Sequence, residues 1–154
     1  MTAPTDVAPR IPVSWGELID KIAILEIKRE RIGAKAAARN VEKELDILRG
    51  IAEPILAINN VADLKSRLDA INRELWDIEN LLRQRELEGD FGPAFVSLAR
   101  SVYKKNDQRA AIKTGLRRES RGLQAWQHDL KRVDLGRIVI VDVAGLIGSR
   151  RAGD

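Results

Sequence analysis

Apolar residues recur along the first two thirds of the chain at helical spacing. Leu18, Ile22, Leu25 and Ile32 fall on one helix face, and Ile19, Ala23 and Ile27 form a second. Two apolar faces predict a central helix over about 15–32. Ser14, three residues ahead of Glu17, marks its start as a capping box, in which each side chain satisfies a backbone donor that the first turn leaves free. GAKAAARN reads as a connector or helix start. VEKELDILRG predicts a short second helix, with Val41, Leu45 and Leu48 on one side, Gly50 as its stop and Pro54 as a break. Next, Val61, Leu64, Leu68, Ile71, Leu75, Ile78 and Leu82 alternate spacings of 3 and 4, the pattern of a coiled-coil-like helix. Gly89, Gly92 and Pro93 close that helix and open a fourth, expected from about Pro93 to Lys113 or slightly beyond.

The ends are patterned differently. MTAPTDVAPR (residues 1–10) carries two prolines and no period, and reads as a disordered lead. Ile11, Pro12 and Val13 suit a short edge strand, and RIVIVDVAGLIG (137–148) is β-branched enough to pair with it, although burial in a helix contact is equally open. TGLRRESRGLQAWQHDLKR has no clean period, so 114–154 reads as a basic extension. The fold class expected is all-α: one small antiparallel bundle over 11–113. Its first, third and fourth helices pack around Leu18, Ile22, Leu25, Leu68, Ile71, Leu75, Ile78, Phe95, Leu98 and Val102.

Composition narrows the chemistry. A chain of 154 residues with 44% hydrophobic content suits one core, and 4% aromatics suit Leu, Ile, Val and Ala packed between helices. Without cysteine, disulfides, thiolate metal sites and thiol catalysis are excluded. No stretch approaches the ~20 apolar residues that span a bilayer, and no signal peptide opens the chain, so a cytoplasmic location is expected. His128, the single histidine, has neither a second ligand nor an orienting carboxylate in register. No catalytic residue, metal ligand or cofactor is therefore assigned, and no phosphate loop of the GxxxxGK[ST] or GxGxxG kind occurs.

Charge is unevenly spread. Residues 1–99 hold 14 basic and 17 acidic groups, residues 100–137 hold 11 and 4, and the remainder balances, so the net +4 arises from one segment. That segment begins within SLARSVYKKNDQRAAIK (97–113), where an apolar stripe runs on into polar groups. Phe95, Leu98, Ala99, Val102, Asn106, Arg109, Ala110 and Lys113 all lie within about 60° of one direction around the helix. Buried there, an unpaired cation would cost several kcal/mol, roughly, so partners are required or the end is exposed. Three readings follow. The helix projects past the bundle after Val102 and YKKNDQR is solvated; or Arg29, Lys105, Arg109 and Lys113 converge on an anion, with Asn106 and Asp107 orienting them and Asp20 and Glu26 supporting; or the cluster is a buried structural network.

IPVSWGELIDKIAILEIKRERI, INRELWDIE and FGPAFVSLARSVYKKNDQRAAIK resemble an uncharacterised family of small bacterial helical proteins, a domain of unknown function, over about residues 11–113. The resemblance implies a mostly helical fold and no activity; some members neighbour or are fused to proteins of surface-polysaccharide assembly. The short acidic Glu-Lys-Ser-Tyr-like tail of such proteins is replaced here from Thr114 to Asp154.

The function expected is that of a helical interaction module, more an adaptor than an enzyme, which engages an anionic small molecule or protein partner through Arg29, Lys105, Asn106, Arg109 and Lys113. The heptad seam also allows self-association. Nucleic-acid binding by the basic segment 100–137 is an alternative, countered by the acidic first 99 residues and the absence of a nucleic-acid motif. A chorismate-mutase-like enzyme is a second alternative, suggested by LKSRLDAINRELWDIENLL. There the pattern's arginine is replaced by Leu82, Arg83 is rotated off the face, and GDFGP replaces the following lysine segment.

Overall fold

The computed structural model describes residues 12–121. It contains α1 (Trp15–Arg31), α2 (Lys35–Leu56), α3 (Asn59–Leu87) and α4 (Pro93–Glu119). No strand occurs among the described residues: Pro12 and Val13 are irregular. Ile11, the segment 137–148, the lead 1–10 and His128 lie outside them, and of the extension only 114–121 is described.

Ser14 caps α1 as expected, its Oγ accepting from the Glu17 N–H at 3.2 Å. The Glu17 carboxylate, however, reaches across to Lys113 at 2.7 Å. Both apolar faces of α1 are buried, Leu18, Ile22 and Leu25 on one and Ile19, Ala23 and Ile27 on the other, because this helix touches all three others. Each fully buried Leu or Ile contributes about 1.5–3 kcal/mol relative to exposure.

The second helix departs from its expected length. It runs through Gly50 and Pro54 to Leu56. Pro54 lacks the N–H that would bond the Gly50 carbonyl and its ring crowds that carbonyl, so the last turn must be held by packing. Leu48, Ala52 and Ile55, fully buried at spacings of four and three, hold that turn against the core.

Along α3, Val61, Leu68 and Leu75 are fully buried, whereas Leu64, Ile71, Ile78 and Leu82 are half-buried. The turn to α4 uses Gly89 in the left-handed region at φ 68°, a conformation that glycine adopts without Cβ strain. The Asp90 carboxylate accepts from the Gly92 N–H at 3.1 Å, and Arg85 pairs with the same group. α3 and α4 then run antiparallel: Glu74 pairs with Lys105, Leu64 lies against Gly115, and Asn60 reaches Glu119.

The expected role of α4 is reversed. Phe95, Leu98 and Val102 are half-buried, while Arg109, Ile112 and Leu116 are the buried residues of this helix. Length explains it. At about 1.5 Å per residue α3 is roughly 43 Å long and α1 roughly 25 Å, so α1 covers only the part of the α3–α4 hairpin near α4's C-terminal half. The far end of the hairpin projects beyond the core, with Leu87, Phe91, Val96 and Tyr103 exposed along it.

Candidate functional site

The buried end of α4 lies against the start of α1. Gly16 makes this possible: a Cβ there would stand 2.5 Å from the Lys113 carbonyl oxygen, so only glycine permits so close an approach. Over that contact Arg109 enters the bundle and meets Asp20, an acid facing the core of α1. The guanidinium donates from Nε to Oδ1 at 3.1 Å and from Nη2 to Oδ2 at 2.5 Å, a two-pronged match of planar groups. Both residues are buried, Arg109 at 9% exposure and Asp20 at 3%.

Three neighbours complete the cluster. Asn72 of α3 donates from Nδ2 to Asp20 Oδ1 at 2.9 Å. Its amide orientation follows, since the opposite one would set Oδ1 against a carboxylate. Arg109 Nη1 reaches Asn106 Oδ1 at 3.4 Å. Lys113 bridges Glu17 at 2.7 Å and Asp20 at 3.6 Å. Two carboxylates face two cations, so the cluster is neutral within itself. Asn72 Oδ1 and Trp15 Nε1 are buried without a hydrogen-bond partner among the described residues.

The sequence-predicted residues thus divide. Asp20, Asn106, Arg109 and Lys113 come together, while Arg29 and Lys105 are engaged elsewhere: Arg29 with Glu42 of α2 at 3.3 Å, and Lys105 with Glu74 of α3. Asp107 is exposed on α4. Glu26 belongs to a separate half-buried network, accepting from Arg49 and Lys65 at 2.7 Å each, with Asp69 also on Lys65 at 3.0 Å. Burial pushes the Glu26 carboxyl up, but the hydrogen bonds from Lys65 and Arg49 outweigh it and leave its pKa lowered. Burial raises Asp69, which Lys65 opposes and the Glu26 charge reinforces. Asn72 is not among the sequence-predicted residues. It nonetheless lies four residues after Leu68 and three before Leu75, so its place on the buried face is legible in spacing alone.

A second region carries unpaired charge. Arg100 and Lys104, exposed on the outer face of α4, have no carboxylate partner among the described residues. They flank an open groove of about 660 Å³ together with Phe91, Val96, Ser97 and Ser101. No group of His, Cys, Asp and Glu side chains able to hold a metal ion occurs among the described residues, and none of their helices is long and apolar enough to cross a membrane.

Fold and sites together define a small all-α bundle with a buried ionic tie and a projecting helical hairpin. The model of a family of unknown function, DUF6165, matches residues 10–131, and the chain belongs to that family. No curated protein and no solved structure matches it.

Proposed function

We propose that the chain is a non-enzymatic helical interaction module that takes an acidic protein partner on the outer face of α4. One observation carries this reading: the distribution of uncompensated positive charge. The four cations expected to form an anion site are each met by a carboxylate, Arg29 by Glu42, Lys105 by Glu74, Arg109 by Asp20 and Lys113 by Glu17. Arg100 and Lys104 are not, and they stand beside exposed apolar groups, Phe91 at 57% and Val96 at 42%. Apolar area supplies affinity at such a surface and charge selects the partner. Asn106, Arg109 and Lys113 serve it from beneath, by fixing where α4 lies.

The test compares thermal unfolding of the wild type and the double variant Arg100→Glu/Lys104→Glu with a glutamate-rich peptide, duplex DNA, sulfate and phosphorylated sugars. An acidic peptide that raises the wild-type Tm and leaves the double variant unmoved supports the proposal. Stabilisation by duplex DNA with a steep salt dependence points to the nucleic-acid reading. A shift by sulfate or sugar phosphate that Arg109→Ala removes restores the anion cluster as the site.

A further inference from the structure

We infer, resting on the acidic-partner reading, that the element docked on this surface is an amphipathic α-helix lying lengthwise along α4, and that its site extends from the hairpin tip into a second groove between α3 and α4. That groove, of about 530 Å³, is lined on α3 by Leu64, Arg67 and Ile71 and on α4 by Gln108, Ala111 and Gly115. It is mainly apolar, and Leu64 and Ile71 are half-buried there.

The two grooves fall on one line. Taken at 100° per residue, Ser97, Ser101 and Lys104 of the tip groove and Gln108, Ala111 and Gly115 of the second lie within about 40° of a common direction around α4. From Ser97 to Gly115 the line is roughly 27 Å long at 1.5 Å per residue, the length of about five helical turns. A partner in extended or irregular form would have to satisfy its own backbone groups against a surface that offers few polar ones; a helix satisfies them internally. Small side chains at Ala111 and Gly115 let another helix backbone come close, and α-helices pack best at about 8–10 Å between axes.

Charge chooses the kind of helix. Arg67, Arg100 and Lys104 border the two grooves, none has a carboxylate partner among the described residues, and neither lining contains an Asp or Glu. Arg31, Arg73, Lys105 and Lys113 are by contrast matched by acids across a helix contact, and Lys28, Arg117 and Arg118, which also lack a carboxylate partner among the described residues, border neither groove. The fitting occupant carries a Leu or Ala stripe at spacings of three and four, flanked by Glu or Asp.

The test measures binding of two synthetic peptides to the full chain. One has about 20 residues, with a Leu/Ala stripe edged by Glu; the other has the same composition scrambled so that acidity stays and amphipathicity goes. Two variants fill the second groove from opposite walls without changing charge, Ala111→Trp on α4 and Ala70→Trp on α3. Both positions are exposed, and circular dichroism of each variant is the check that it folds. The expected result is tighter binding of the helical peptide, weakened about tenfold or more by either variant, with the scrambled peptide indifferent to both. If both peptides bind equally and neither tryptophan matters, the helix track is overturned while the acidic tip surface stands. Two results overturn both readings: no binding of either peptide to the wild type, or a dimer in sedimentation whose formation alone excludes the peptide.

Discussion

Asp20 and Arg109 stand 89 positions apart in the chain, yet two guanidinium nitrogens of one rest on the two carboxylate oxygens of the other inside the α1–α4 contact. Both groups are largely shielded from solvent. Removing the cation alone leaves a buried carboxylate with Asn72 and a more distant Lys113, so Arg109→Ala is expected to cost about 3–5 kcal/mol in urea unfolding. Removing both charges is less harmful than removing one. Asp20→Leu combined with Arg109→Met should recover part of that loss, because the desolvation of two ions is no longer required. A single variant that unfolds at the wild-type midpoint would show the pair to be idle.

The same contact depends on a residue with no side chain. A methyl group at Gly16 would collide with backbone, the Lys113 carbonyl, which cannot swing aside as a flexible side chain does. Gly16→Ala should therefore destabilise by about 1–3 kcal/mol, despite alanine's better helix propensity, through forced separation of α1 and α4. Gly50→Ala is the control. Nothing lies within 4 Å of the added atom, so the propensity gain alone should show, and the Tm should rise.

These two residues mark the limit of what the sequence discloses. Helix number, the Ser14 cap, the Gly89–Pro93 turn, the buried faces of α1 and the burial of Leu68 and Leu75 on α3 follow from local spacing and turn chemistry, which act within a few residues; Ile71 and Ile78 of the same stripe are not buried. The lengths of α2 and α4's embedded half do not. Gly50 and Pro54 are local stop signals that tertiary burial of Ala52 and Ile55 overrides, and which end of α4 is buried depends on how far the shorter α1 reaches. The polar site was half legible for the same reason. Helical geometry alone puts Asn106, Arg109 and Lys113 on one side of α4, but the carboxylate that takes Arg109 lies on another helix, and several acids on α1 were equally eligible. Gly16, as a point of close helix approach, has no signature in one sequence.

Glu26 gives the protein an acid-sensitive fastening. Its pKa is lower folded than unfolded, so its contribution is complete above the ordinary glutamate range and disappears as pH falls through the lowered folded value. Glu26→Gln should cost about 1–2 kcal/mol at pH 7, and the difference from wild type should shrink as pH falls below the ordinary glutamate range and through the lowered folded value. Asp69 acts with the opposite sign. Its raised pKa means that stability is lost as pH rises from the unfolded value through the folded one, so it flattens the acid limb that Glu26 steepens. Thermal melts of both proteins from pH 7 downward measure the convergence; a gap that stays constant until both unfold in acid would show that the Glu26 charge contributes nothing.

The projecting hairpin predicts a gradient of stability along two helices. Leu75 is fully buried on α3 where α1 still covers it, whereas Leu98, farther toward the tip on α4, is half-buried with only the hairpin's own width to shield it. Leu75→Ala should cost about 2–5 kcal/mol, the range of a core cavity, and Leu98→Ala nearer 1 kcal/mol, since roughly half of its transfer energy was never gained. Hydrogen exchange resolves the same gradient without mutation. Amides in 95–102 should open at lower free energy than those in 61–75, because fewer buried apolar contacts must be broken to expose them. A partner seated along α4 would add contacts at the tip and slow exchange there first, because the tip amides open at the lowest free energy. Equal protection along the free hairpin would instead mean that tip and core unfold as one cooperative unit, and that Leu98 matters as much as Leu75.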